Sequence, residues 1–290
     1  MSACRKFAVA SEAKLDECKP AATTDASSHG CWQLFQANSM SALDKFTAVI
    51  AIDSEHADEL EAVWPTWVKF HPEILRIPML VFFDTNGMAK SQLDAIHEMM
   101  IDSGANSQLV WFTAWDHHSS STQREKMLSA FVFGAPQLVE TPYWLKLDTD
   151  LIATSPGPLI RDEWLDGEPA FFSQRWGYTR PSSMLDQLDK WIAPLNPPNP
   201  PFTRKIVGDK AKHRRVISYF MGVNTDWSWD VVKMCGYHRM PVPSQDTIYS
   251  HVAERFGHFY RTIDVKAAGW RHVGSRSINK LRQSAAEAMR

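Results

Sequence analysis

The sequence predicts an α/β fold: a mostly parallel central sheet with helices on both faces. Two observations carry this. From Phe46 to Leu147, short apolar runs rich in β-branched residues alternate with segments of helical character. The runs are close to continuously apolar, as in strands covered on both faces, and such alternation is the pattern of βαβ units. A third observation points to where ligands bind. Three of the runs end on aspartate, at Asp53, at Asp84, and at Asp148 with Asp150 two residues beyond. In open sheets of this kind ligands bind beyond the carboxyl ends of the strands, which puts the four carboxylates on one rim.

Taken in order, residues 1–41 are rich in Ala, Ser, Thr, Lys and Glu and read as an arm outside the fold, since a stretch such as Ala21 to Ser28 can bury little. Phe46 to Asp53 is the first strand, Ala57 to Phe70 a helix, Ile77 to Asp84 the second strand and Ser91 to Ile101 a second helix. Gln108 to Thr113 follows as a strand, then a helix from Thr122 to Leu138 with Gly134-Ala-Pro136 near its end, then the strand Trp144 to Leu147. The second half is less regular. Pro169 to Ser173 reads as a strand and Ser183 to Ile192 as a helix, while Ala193 to Pro201, with five prolines, has neither helix nor strand in prospect. Val216 to Thr225 reads as a strand interrupted by Gly222, Gln245 to Phe256 as a helix, and His258 to Ile263 as a last strand.

A chain of 290 residues can bury one large α/β core. A net charge of −2 supplies no field to gather nucleic acid, and no segment approaches the ~20 apolar residues of a membrane span. With no apolar leader, the expected location is cytoplasmic. Cys4, Cys18, Cys31 and Cys235 are scattered without metal-binding spacing and read as free thiols. Twelve tryptophans exceed ordinary composition; large aromatic faces stack on sugar rings, although most such residues fill cores.

The segment Tyr143-Trp-Leu-Lys-Leu-Asp-Thr-Asp150 delivers two carboxylates separated by one residue. On an extended strand end they would project to one side, as hard oxygen donors suited to Mg²⁺ or Mn²⁺ completed by substrate phosphates. A polar strand end capping the next turn would use the same residues.

Three downstream segments join this pair: Tyr219-Phe-Met-Gly-Val-Asn-Thr225, Ser244-Gln-Asp-Thr-Ile248, and Gly269-Trp-Arg-His-Val-Gly-Ser-Arg276. Together, over roughly residues 46 to 276, they resemble in kind and order the nucleotide-sugar-dependent glycosyltransferases of the GT-A fold, the Asp-x-Asp type. The resemblance implies a single catalytic domain over 42–290. Residues 42–155 would be its nucleotide-sugar-binding half, 156–276 its acceptor and catalytic half, and 277–290 a C-terminal tail. It implies that Asp148, Asp150 and His272 hold Mn²⁺ or Mg²⁺, that Gly222 lies beneath the donor sugar, and that Gln245 and Asp246 act near the reacting carbon. It further implies that Asp53 and Asp84 meet the base or ribose of the donor, a UDP-sugar by preference, while Arg124, Lys126 and Arg276 reach its phosphates. Trp176 and Tyr178 would meet the acceptor, a carbohydrate or another hydroxyl compound. Ser and Asp opening a helix are also ordinary caps, so Asp246 has a structural alternative. The chain has Ser244 before Gln245-Asp246 where family 8 enzymes carry Asp-Gln-Asp, and a shorter histidine segment, so inverting and retaining outcomes both stay open. Three rival readings stand beside this one: a haloacid-dehalogenase-type phosphatase, which shares a strand-end aspartate pair, a sugar nucleotidylyltransferase, and a non-catalytic sugar-binding module.

Overall fold

A computed structural model describes residues 41–84, 88–111, 130–175, 182–199, 216–235, 245–274 and 277–290. Strand β1, Phe46–Ile52, is buried at every residue, as a sequence apolar but for Thr47 requires of a strand covered on both faces. It leads into helix α1, Ser54–Phe70, which starts three residues earlier than its apolar periodicity indicates because the Asp53 side chain caps it. Leu60, Val63, Trp64 and Trp67 form the buried stripe of α1 at helical spacing. Strand β2 (Met79–Phe83), helix α2 (Lys90–Asp102) and strand β3 (Ser107–Trp111) repeat the unit. A π turn at Ala130–Gly134 and a short helix α3, Ala135–Leu138, then deliver strand β4, Tyr143–Leu147, and the brief strand β5, Leu151–Ala153.

Strand β6 (Phe171–Arg175) and helix α4 (Ser182–Ile192) match expectation, but Ala193–Leu195, expected to be structureless, closes one 3-10 turn with proline in its first turn. Proline at that position gives up an amide that has no helical partner, which reconciles the turn with the composition. Strand β7, Val216–Asn224, runs into helix α5, Thr225–Cys235, which was not anticipated. Helix α6 spans Gln245–Phe256, and the last strand of the main sheet, β8, is confined to Arg261–Ile263. Strand β9 (Trp270–His272) pairs antiparallel with β5. The expected tail 277–290 is instead largely helix α7, Ile278–Met289, which buries Leu281 and Ala285 and accepts a 2.8 Å hydrogen bond from the Lys69 Nζ of α1 at the Met289 carbonyl. Of the expected arm 1–41, all but the last residue lies outside the described residues.

The main sheet has the order β3-β2-β1-β4-β7-β6-β8, and only β7 runs against the other strands. The expected mostly parallel α/β architecture is thus the one found. Two apolar clusters cover its faces. One contains α1, α7 and the β5–β9 pair; the other contains residues 130–139 together with α4, α5 and α6. Among the described residues no helix is long and apolar enough to cross a membrane.

Gly222 faces Phe172 across the β6–β7 pairing, and a Cβ at Gly222 would fall inside that buried ring. Gly222→Ala is therefore expected to destabilise the fold by about 1–3 kcal/mol through overpacking. Urea unfolding checks this, and an unchanged midpoint would show that the ring moves aside freely.

His71 is fully buried, stacked on Trp270 at 4.4 Å between ring centroids, with Nδ1 2.9 Å from the Gly157 carbonyl and no hydrogen-bond partner for Nε2. Burial holds its pKa below the ordinary histidine value. A depressed histidine favours folding at pH above its unfolded pKa, and that contribution is lost as pH falls through about 6.5 and on toward the lower folded value. His71→Phe retains the stack and removes the titration. Melting temperatures between neutral and mildly acidic pH should therefore fall more steeply for the native protein than for this variant; parallel curves would contradict the assignment.

Candidate functional site

The carboxyl ends of β1, β2 and β4 form one rim. Asp53 and Asp84 follow β1 and β2, and the Asp84 amide bonds the Ile52 carbonyl at 3.0 Å, so both acids lie where strand order predicts. Asp53 is occupied locally. Its Oδ1 accepts the Glu55 and His56 amides at 3.0 Å each and lies 2.7 Å from His56 Nδ1. Asp84 is buried at the end of β2.

Asp148 and Asp150 are not set by strand alternation alone, as the sequence indicated. The Leu151 amide bonds back to the Asp148 carbonyl at 3.2 Å, so Asp148-Thr149-Asp150 is a tight turn between β4 and β5. Neighbouring strands fix it, with the Asp148 amide donating to Tyr219 at 2.9 Å and the Asp150 carbonyl accepting from Val273 at 3.1 Å. The three side chains take three directions. Asp148 bonds Lys146, Thr149 Oγ1 donates to Glu59 Oε2 at 2.6 Å, and Asp150 Oδ2 lies 3.1 Å from His272 Nε2. His272 is delivered by the register Leu151↔His272 and stacks on Tyr219 at 4.6 Å and 7°.

Burial raises the Asp148 pKa and the Asp150 charge adds to it, while Lys146 and His272 pull it down. Burial likewise raises Glu59, with Asp150 and Asp148 contributing. For His272, burial opposes the charged ring, but the hydrogen bond and charge of Asp150, with Asp148 behind it, outweigh burial and raise its pKa. The turn thus gathers carboxylates whose charges act on one another, with Lys146 offsetting part of that charge at Asp148.

The donor set is tested against a divalent cation by its unspent groups. Asp150 Oδ1 is buried and has no hydrogen-bond partner, and carboxylate oxygens with an imidazole nitrogen suit Mn²⁺ or Mg²⁺. Among the described residues, however, no three His, Cys, Asp or Glu side chains converge on one point, in keeping with the Lys146 bond to Asp148.

Helix α6 runs so that Gln245 and Asp246 open it on the side of the sheet where the strands carry their carboxyl ends. Its C-terminal end is near the opposite edge, where Phe259 accepts the Ala170 amide at 2.8 Å, and β8 then runs parallel to β6. Twelve helical residues span about 18 Å, which carries the N-terminus of α6 toward the carboxyl ends of the strands. Gln245 is fully buried with neither amide atom hydrogen-bonded; Asp246 is also buried, and its Oδ1 accepts the Thr247 amide at 2.9 Å. One turn along α6, Tyr249 OH donates to Phe131 O at 3.0 Å, and the Phe131 ring lies 4.7 Å beneath Lys146 Nζ. Gly222 is opposite Leu145 on the face filled by Phe172, and this packing by itself accounts for the glycine. Arg124, Lys126, Trp176, Tyr178 and Arg276 lie outside the described residues.

Lys146 and Glu59 are the site residues that sequence reasoning missed. The signal for Lys146 was present: it is the one charge in an apolar strand, two residues before Asp148, hence on the same face. Glu59 gave less. It is an acid four residues before Val63 at the edge of the buried stripe, and only its bond to Thr149 identifies it.

No protein-family model and no curated protein matches the chain. Solved structures are similar at a distance. A galactosyltransferase, LgtC, bound to donor and acceptor sugar analogues is 10% identical, with 82% of this chain and 95% of that one covered at a TM-score of 0.49. Mouse xyloside xylosyltransferase 1 is 11% identical over 76% of this chain and 85% of its own, at 0.45. A 4-diphosphocytidyl-2C-methyl-D-erythritol synthase from Anaerococcus prevotii is 10% identical over 86% of this chain and 100% of its own, at 0.47. Likenesses so remote leave the function to the site itself.

Proposed function

We propose that the protein is a glycosyltransferase that moves a sugar from a nucleotide-diphosphate sugar, a UDP-sugar by preference, to an acceptor hydroxyl with the help of Mn²⁺ or Mg²⁺. The observation that supports this best is the Asp148-Thr149-Asp150 turn beside His272, with the buried Asp150 Oδ1 lacking a partner. Breaking a sugar–diphosphate bond places negative charge on the leaving group while the anomeric carbon becomes cation-like. A bound divalent ion supplies Lewis-acid neutralisation of that leaving charge. Asp150 and His272, with Asp148, would hold it.

The remaining work falls to the chain's own residues. Asp246 would take the acceptor proton if the reaction inverts, or stabilise the cation-like sugar if it retains. Gln245, with donor and acceptor groups both unspent, would orient the sugar. Asp53 and Asp84, at the ends of β1 and β2, would border the nucleoside. The phosphatase reading is disfavoured because its aspartate pair ends the first strand of its core, whereas here β1, β2 and β3 precede β4 in the chain.

The test is a thermal-shift panel of UDP-, GDP-, CMP- and dTDP-sugars with and without Mn²⁺, followed by assay of hydrolysis. A shift with one donor class that requires Mn²⁺ is the expected result. Binding without hydrolysis or transfer would indicate a non-catalytic sugar-binding module, and no shift in any condition would reject the proposal.

A further inference from the structure

Lys146 is a cation enclosed in the fold. Its side chain is 2% exposed, and the ammonium bonds Asp148 Oδ1, donates to the Ser218 carbonyl at 2.8 Å, and rests over the Phe131 ring at 4.7 Å. Two donors are used on protein oxygens and a π face lies beneath it, so it is built to stay with Asp148 rather than to reach a ligand. Asp148, by contrast, is a third exposed. Its Oδ1 is held by the buried ammonium. Among the described residues no fixed cation lies beside Asp150: its neighbour is the titratable His272, and its Oδ1 is unpartnered.

The two aspartates are therefore unequal. One carboxylate is already compensated by a buried positive charge, and the other is open. Resting on the metal-site reading above, we propose that Lys146 is a positioning residue whose bond to Asp148 keeps the turn from capturing a bare divalent cation, so that the cation binds with the nucleoside diphosphate. Electrostatics supports the direction. A cation arriving at the turn meets the repulsion of a lysine a few ångströms away, and the phosphate oxygens of the diphosphate supply the missing negative charge. Mg²⁺ and Mn²⁺ sites with one or two carboxylates commonly depend on substrate phosphates in this way. The lysine also offsets part of the repulsion between Asp148 and Asp150 before the cation binds.

The experiment is a Mn²⁺ titration of the full chain, following the electron paramagnetic resonance signal of the free ion, with and without UDP. In the native protein UDP should tighten Mn²⁺ binding by about tenfold or more, the effect of adding diphosphate charge at a partly buried site. Lys146→Met should bind bare Mn²⁺ about tenfold more tightly than the native protein and depend less on UDP. A merely structural lysine would not produce a gain in affinity. A folded Lys146→Met protein with equal or weaker bare Mn²⁺ binding would overturn the proposal. Should that variant fail to fold, Asp148→Asn and Asp150→Asn decide the matter. Both remove a donor, but Asp150→Asn should cost bare Mn²⁺ affinity about tenfold more than Asp148→Asn, because among the described residues only the Asp148 charge is already met by a fixed cation; equal losses overturn the proposal. Native protein that binds Mn²⁺ equally well without UDP overturns the lysine's role alone, and native protein that binds none in either condition overturns the metal site together with it.

Discussion

Asp150→Ala is expected to lower nucleotide-sugar turnover by about 10³-fold, the scale on which several kcal/mol of leaving-group stabilisation disappear. The substitution removes the carboxylate whose Oδ1 is unspent and whose Oδ2 lies 3.1 Å from His272 Nε2. Three measurements belong together: turnover of the variant, turnover of the native protein in EDTA, and recovery on adding Mn²⁺. Native activity undiminished by EDTA would sink the metal-assisted mechanism. The His272 titration gives an independent check, because the hydrogen bond and charge of Asp150 are what raise its pKa. By nuclear magnetic resonance the ring should titrate lower in the variant. As a raised histidine, its contribution to stability is present at pH below about 6.5 and is lost as pH rises through the folded value. The acid-side stabilisation should therefore shrink in Asp150→Ala.

Asp246→Asn should separate binding from chemistry. The change retains volume and capping ability but removes the charge and the proton-accepting capacity, so donor and Mn²⁺ affinity should persist while transfer falls by about 10²-fold or more. The Oδ1 bond from the Thr247 amide can be kept by the asparagine carbonyl oxygen, which protects the local structure from the substitution. Near-native transfer in this variant would remove Asp246 from the mechanism and leave it a structural role in the first turn of α6. Intact transfer alongside lost donor affinity would instead place it on the substrate without a role in the chemical step.

The rim of aspartates was legible because a parallel strand buried on both faces has a simple code. Met79 to Phe83 is apolar throughout and Phe46 to Ile52 is so apart from Thr47, and the residue after each is an acid. Helix α6 was legible for a similar reason, since its bounds Gln245–Phe256 are those the periodicity indicates. Helix α7 was not, although Leu281 and Ala285 repeat at helical spacing. Its stripe is narrow, and its stability comes from packing on α1, more than 200 residues earlier in the chain, which no local window contains.

The site divides along the same line. The sequence by itself determined the mostly parallel sheet, the carboxylates at its strand ends and the charge of Lys146 within an apolar strand, because these follow from alternation and burial over a few residues. Tertiary structure decided the partners. The register of β5 with β9 sets His272 against Asp150, and α1 sets Glu59 against Thr149, some 90 residues away. Residues 130–134 place the Phe131 ring beneath Lys146. Which carboxylate is compensated and which is open depends on distances of a few ångströms between segments remote in the chain, because electrostatic interactions in a partly buried site vary steeply with separation and solvent access.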